Sequence, residues 1–357
     1  MNAMKKTIIY IVAASVLALS GCSGEKSCCK KRSFIAHRGV DLHCTVAGEN
    51  SLEAVGLAAR AGFDAVETDV RLTADSVLVV MHDATLRRTC LTVGGEPVEK
   101  DVAVADLTME QLRRDYRLKA SEPKDRSVIP TLKEYLLCCR ENGVKVFIEP
   151  KLKDSTGRFY AMIMDEADEV FGRGNYIVTS NNFANGIIRD RMNVTDVPLM
   201  GILYQTTYED ISSVSDIIIA VSATRFSGGE YYANVERAKG DGFLTESHAD
   251  DYERFAMVNA GGVDWVSTDM LAPDDRGLGK DVGEGEKVGF GAVWLDMTVQ
   301  GSATVKLARQ TFEVKAEDGP LRVRHQLLLY DEYPSFEISD MSDDFRIISK
   351  SIRIAEL

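Results

Sequence analysis

Gly62-Phe63-Asp64-Ala65-Val66-Glu67-Thr68-Asp69-Val70 is the stretch whose reading decides the architecture. Ala65–Val70 reads as a strand, yet it carries two carboxylates two positions apart, so both point to one face. Upstream, Leu52–Ala61 (LEAVGLAARA) has helical periodicity with Asn50-Ser51 in capping position, and Ser33–Ala36 is a short apolar run. Downstream the same alternation continues. Val77–Met81 is strand-like. Thr131 caps a helix through Leu132, Tyr135, Leu136 and Cys139 that ends at Asn142-Gly143, and Lys145–Glu149 (KVFIE) is the next strand. Tyr176–Thr179, Pro198–Leu203, Ile217–Val221, Gly242–Leu244 and Asp264–Ser267 are further strands, with helices such as Phe159–Val170 and Tyr252–Ala260 between them. Strand and helix alternating about eight times predict parallel pairing and a closed α/β barrel, TIM-like (β/α)8, over residues 33–274. Periodicity alone leaves a doubly wound open sheet as the alternative.

The character changes after this region. Residues 275–285 are rich in glycine and read as a linker. Beyond it the period becomes two: Leu321, Val323, His325, Leu327 and Leu329 alternate with polar residues over part of that run, and Val305, Leu307, Phe345, Ile347, Ile352 and Ile354 fit similar short strands. A small β-rich appendage is expected over 286–357.

The N-terminus reads as an export signal, with Lys5 and Lys6 ahead of an apolar run, Ile8 to Leu19, that is too short to span a bilayer comfortably. Leu19-Ser20-Gly21-Cys22 then resembles a bacterial lipobox, which implies a lipoprotein signal peptide over 1–21 and acylation of Cys22. An ordinary secretory signal cut near Ser20 or Gly21 is the second reading. Residues 22–32 are a polar, basic tether, and the chain is expected to be exported and membrane-anchored on the periplasmic side or cell surface. The formal net charge of −13 argues against nucleic acid or an anionic bilayer as a partner held by bulk field. An anionic substrate would need local cations or a bound metal. Of the seven cysteines, none forms a CxxC pair, which argues against a zinc cluster. An exported location leaves a Cys44–Cys90 disulfide open.

Four stretches at the ends of predicted strands concentrate the unusual residues: His37-Arg38-Gly39, Glu67-Thr68-Asp69, His82-Asp83 and Glu149-Pro150-Lys151. In an α/β barrel those ends open on one face. Buried neighbouring carboxylates repel unless a cation or a shared proton offsets them. Glu67, Asp69 and Glu149 therefore suit one hard divalent cation, Ca²⁺ or Mg²⁺. His37 and His82 beside it suit general acid–base work. Arg38 and Lys151 suit phosphate oxygens. A single histidine, an E-x-D pair or an HRG tripeptide has an ordinary structural explanation; their joint placement is what points to a site. His43, His248 and His325 lack such company and read as structural or surface residues.

The set resembles the glycerophosphodiester phosphodiesterase family in order and spacing. The matching segments are His37-Arg38-Gly39, Glu49-Asn50-Ser51, Gly62–Val70, Thr73-Ala74-Asp75, His82-Asp83, Leu86–Thr89, Ile129–Glu134, Ile148–Lys151 and Val263–Asp269. The resemblance implies a TIM-barrel hydrolase that yields sn-glycerol 3-phosphate and an alcohol in glycerophospholipid breakdown. It assigns the metal to Glu67, Asp69 and Glu149, acid–base catalysis to His37 and His82, and phosphate contact to Arg38 and Lys151. Three departures stand out. Ser51 replaces Thr, which preserves capping. Ser76 replaces Gly after Asp75, which is tolerable if the turn needs no positive φ. The family's Trp-Thr-Val-Asn stretch on the seventh strand is replaced in the region of Gly242–Ser247, which alters a wall of the pocket and places Glu246 at the mouth. Other phosphodiesters (a phosphoinositide, lysolipid or polymer) are the alternative substrates. A non-catalytic surface binding lipoprotein on the same barrel is the alternative class.

Overall fold

The computed structural model describes residues 32–357 apart from 181 and 284. The expected signal peptide, the acylation site Cys22, Cys28, Cys29 and all of the tether but Arg32 lie outside the described residues.

β1 (Ser33–Ala36) leads through α1 (Leu52–Ala61) to β2 (Ala65–Leu72). α1 starts where Ser51 Oγ accepts the Ala54 N–H and stops at Gly62 in the left-handed region. β2 turns back into β3 (Leu78–Val80), and β4 (Cys90–Thr92) pairs with β5 (Tyr116–Leu118) across α2 (Met109–Asp115). α3 (Leu132–Glu141) opens on a capping box between Thr131 and Glu134. Then follow β6 (Lys145–Pro150), α4 (Arg158–Phe171), β7 (Ile177–Ser180), α5 (Asn182–Gly186), β8 (Leu199–Leu203), α6 (Tyr208–Ser213), β9 (Ile218–Val221), α7 (Gly228–Gly240), β10 (Leu244–His248), α8 (Tyr252–Gly261) and β11 (Trp265–Thr268).

Parallel ladders join β1, β2, β6, β7, β8, β9, β10 and β11, and β11 returns to β1, so the sheet closes. The open-sheet alternative is thereby excluded. Phe147, Trp265, Ile35, Met200 and Ile218 fill the ring, and a larger apolar layer lies between strands and helices. Register then sets the chemistry. Asp69 pairs opposite Glu149, Ala36 opposite Thr268, and His248 opposite Ser267.

Three expectations change. Val77–Met81 is not a stave of the barrel. β3 runs antiparallel to β2, with Val70 opposite Val80, and so returns His82 to the mouth from outside the ring. Hydrophobic periodicity carries no strand direction, which is why the hairpin was not apparent. Its turn places Ser76 at φ +63°, so this position does need positive φ and carries the strain that glycine would avoid. The tenth strand is Leu244–His248, not Gly242–Leu244. Gly242 instead lies in the turn after α7, at φ +93°, and the true strand holds buried Thr245, Glu246 and Ser247, which an apolar pattern does not register. Residues from Val77 to Ile129 also build a small core of their own, including Val79, Met81, Leu86, Leu112, Leu118 and Ile129.

Three of the C-terminal strands are long, not short. β12 (Lys280–Asp281), β13 (Val288–Leu307), β14 (Gln310–Glu332), β15 (Phe336–Ser339) and β16 (Arg346–Glu356) form one antiparallel sheet, ordered β12-β16-β13-β14 with β15 also on β13. β13 alternates buried and half-buried residues over most of its length. The sheet packs into the barrel's outer core. Phe312 stacks on Tyr252 with ring centres 4.0 Å apart, Trp294 Nε1 donates to Pro273 O at 2.8 Å, and the Arg60 guanidinium sits 5.2 Å from the Phe290 ring. Among the described residues no helix is long and apolar enough to cross a membrane. Cys44, Cys90, Cys138 and Cys139 are free thiols, so the Cys44–Cys90 bridge is not formed.

The shared core makes a stability prediction. Phe312→Ala removes a ring that is 3% exposed and is expected to cost about 3–5 kcal/mol in a single chemical-denaturation transition. Two separate transitions, with that of the barrel unmoved, would contradict a common core.

Candidate active site

β2 and β6 bring three carboxylates to one end of the barrel. Glu67 and Asp69 are buried and Glu149 is half-buried. One oxygen from each lies within 4.8 Å of the others. Lys151 Nζ stands 3.0 Å from Asp69 and 2.8 Å from Glu149, and Arg38 Nε is 3.3 Å from Asp69. Asn50, at φ +62°, donates from Nδ2 to Asp69 Oδ2 at 2.9 Å and accepts from Thr68 Oγ1 at 2.9 Å. Burial raises the Asp69 carboxyl, but Lys151 and Arg38 outweigh it and hold it below the usual range. Glu67 goes the other way, raised by burial and then by Asp69, and its Oε1 has no hydrogen-bond partner.

Each histidine carries an aspartate on Nδ1. His37 Nδ1 is 2.7 Å from Asp269 Oδ1, and His82 Nδ1 is 2.7 Å from Asp83 Oδ1. In each ring Nδ1 is thus engaged by an aspartate; Nε2 of His37 lies 3.8 Å from Glu67 Oε2. Burial lowers the His37 pKa, but Asp269 and then Glu67 push it up to about 10. Burial holds His82 below its usual value in spite of Asp69 and Asp83. Asp69 feels the charge of both rings. Arg88 grips Asp83 through Nε and Nη2 at 2.7 and 2.8 Å and reaches Glu49 at 2.6 and 2.8 Å. Arg71 donates to His82 O and to Lys151 O, tying the returning hairpin to the end of β6. At Gly39 (φ +79°) a Cβ would come within 2.6 Å of Ala54 Cβ, so the first loop packs on α1 only with glycine there.

His37, Arg38, Glu67, Asp69, His82, Glu149 and Lys151 thus share one end of the barrel. His43 is exposed and His325 is buried. His248 departs from that reading. Its ring meets that of His37 edge-on, with centres 5.1 Å apart, its Nε2 is 2.7 Å from Asp250 Oδ2 and its Nδ1 is 3.1 Å from Ser267 Oγ. It came into company through the pairing of β10 with β11, which sequence distance conceals. Glu246 does not line the mouth either. It is buried inside the ring, where Ser267 Oγ donates to it. Asp269, Asp83, Arg88, Glu49, Asn50 and Arg71 complete the site. Asp83 and Asp269 sit in motifs that were visible, but the side chains they face are fixed only by the fold. His37, His248 and Asp269 form a second group of possible metal-ligating atoms, and Asp41, Cys44 and Glu49 a third. The first group, made of oxygen donors alone, matches a hard divalent cation best.

The pattern of the Glycerophosphoryl diester phosphodiesterase family matches residues 37–272. The chain belongs to this family. A Glycerophosphodiester phosphodiesterase of Caldanaerobacter subterraneus subsp. tengcongensis is 30% identical over 251 residues, 67% of this chain and 94% of that protein. Glycerophosphodiester phosphodiesterase 1 of Bos taurus is 36% identical over 124 residues, and the match spans 34% of its length. Two solved structures share the barrel. One is a phosphodiesterase from Oleispira antarctica in complex with the product sn-glycerol-3-phosphate (TM-score 0.55, 20% identity, 68% of this chain and 93% of that one). The other is a glycerophosphodiester phosphodiesterase from Parabacteroides distasonis (TM-score 0.53, 21% identity, 67% of this chain and 94% of that one). The family-matched residues, 37–272, end before the C-terminal sheet.

A cation held by the three carboxylates stabilises only the folded chain. At a hundredfold excess of Ca²⁺ or Mg²⁺ over its Kd, stability is expected to rise by about 2.7 kcal/mol, read as a higher unfolding midpoint. Glu149→Gln should remove most of that gain. An equal gain in the variant would place the cation elsewhere.

Proposed function

We propose that this chain hydrolyses glycerophosphodiesters to sn-glycerol 3-phosphate and an alcohol, with one divalent cation, Ca²⁺ or Mg²⁺, at Glu67, Asp69 and Glu149. The observation that carries the reading is the grouping of these carboxylates with two aspartate-held histidines and two basic side chains. Family membership supports it. The residues suit a cation because Glu67 Oε1 is buried without a partner and the donors are all carboxylate oxygens. When bound, the cation supplies Lewis acidity toward the attacking hydroxyl and balances charge on the phosphoryl oxygens.

The chain's own residues do the rest. Arg38 and Lys151 hold phosphate oxygens and exchange their present carboxylate contacts in part for them. One histidine takes the proton of the glycerol 2-hydroxyl at Nε2 as that oxygen attacks phosphorus. The other gives a proton to the departing alcohol oxygen, and the product is a cyclic phosphate. Water then opens the ring with the two roles reversed, leaving both imidazoles as they began. Asp83 and Asp269 keep each ring in the tautomer that presents Nε2. Export and acylation at Cys22 would set the enzyme beside membrane-derived substrates.

The test is release of glycerol 3-phosphate from glycerophosphocholine and glycerophosphoethanolamine by the full-length chain in mild detergent. Turnover should require Ca²⁺ or Mg²⁺, stop with EDTA, and fall about 10²–10⁴-fold in His37→Ala. Absence of turnover on both substrates would overturn this substrate class. For the anchor, Cys22→Ala is expected to move the protein from the membrane fraction to the soluble one; unchanged fractionation would refute acylation there.

A further inference from the structure

The C-terminal sheet lies beyond the family-matched residues 37–272, yet it reaches the site. Gln310 stands at the tip of the β13–β14 hairpin, where Leu307 pairs with Gln310. Its Nε2 donates to the main-chain oxygen of Asp250 at 2.7 Å. Its Oε1 is 2.8 Å from His325 Nε2. The carbonyl of Asp250 can only accept, so the amide must turn its NH₂ that way, and His325 Nε2 must carry the proton that Oε1 accepts. His325 is 1% exposed and caged by Tyr252 and Phe312. Burial lowers its pKa to about 3, so the ring stays neutral and the orientation of the bridge is fixed.

From Asp250 the chain of contacts continues to the catalytic ring. Asp250 Oδ1 accepts from Asp269 N at 2.7 Å and from Thr268 Oγ1 at 2.9 Å. Its Oδ2 holds His248 Nε2 at 2.7 Å. Asp269 holds His37 Nδ1, and His248 packs edge-on against the same ring. The sheet also grips the segment just after Asp269: Leu328 N donates to Met270 O at 3.0 Å, and Gln326 Nε2 to Ala272 O at 2.8 Å.

We propose that the C-terminal sheet is a brace for His37, acting through Gln310 on Asp250, and that Gln310, Asp250 and His248 are positioning residues. The proposal rests on the reading of His37 as a proton-transfer group. The Gln310 amide is engaged by Asp250 O and His325, so as a positioning residue its loss should lower kcat and leave KM nearly unchanged.

The test uses the full-length chain in detergent. Gln310→Glu keeps size but sets a second acceptor against the Asp250 carbonyl, and Gln310→Ala removes the bridge. Each is expected to lower kcat about tenfold, since small misplacements of a reacting group carry large rate costs. In an Asp250→Ala background Gln310→Glu should add nothing further, because the link is already cut. A lower unfolding midpoint with unchanged kcat would show a merely structural tie, and additive losses would refute the route through Asp250. If wild type turns over and His37→Ala does not, those results judge the brace alone. A readout free of turnover is the His37 Nδ1–H resonance, assigned by its loss in His37→Ala. It should shift or broaden in Gln310→Glu, and an unchanged resonance would overturn the proposal whether or not the substrate is right.

Discussion

Mutual repulsion of three carboxylates governs the mouth of this barrel. Two unit charges 4.8 Å apart, the outer limit here, repel by roughly 3.5 kcal/mol at an effective dielectric of about 20. The fold answers with positive charge and donors on every side of Asp69: Lys151 from the end of β6, Arg38 from the first loop, and Asn50 from the turn into α1. Glu67 is left with an unpartnered oxygen and a raised pKa. That residual imbalance is the natural place for a cation, and the surrounding geometry follows from the need to hold these groups together.

Holding them requires a contorted first loop. Arg38, Leu42, His43, Cys44 and Asn50 all have positive φ, at a cost of about 1 kcal/mol or more for each non-glycine residue. Leu42 and Val46 are buried and anchor the loop. Such strain near a candidate site is affordable only where packing fixes both ends, and here Gly39 lies flush on α1 while Ser51 caps it.

Much of the fold and site could be read from the sequence because it is written locally. β2 and β6 are apolar runs interrupted by carboxylates, and a residue such as Asp69 in an otherwise buried strand announces itself. What escaped was written in three dimensions. The direction of β3 depends on a turn at Ser76, not on any pattern of apolar residues. β10 is buried but polar, so its hydrophobic signal is faint. His248 meets His37 across 211 positions of sequence only because β10, β11 and β1 are neighbours in the ring. The reach of Gln310 to Asp250 likewise depends on the length of a hairpin whose strands read as shorter pieces.

The returning hairpin has one more consequence. His37 hangs from a stave of the ring, whereas His82 follows Met81 in the small core between Val77 and Ile129. The two imidazoles therefore belong to separate packing units, and small units open at lower free energy than the whole. Local opening of that unit would part the two rings while the staves of the barrel stay paired.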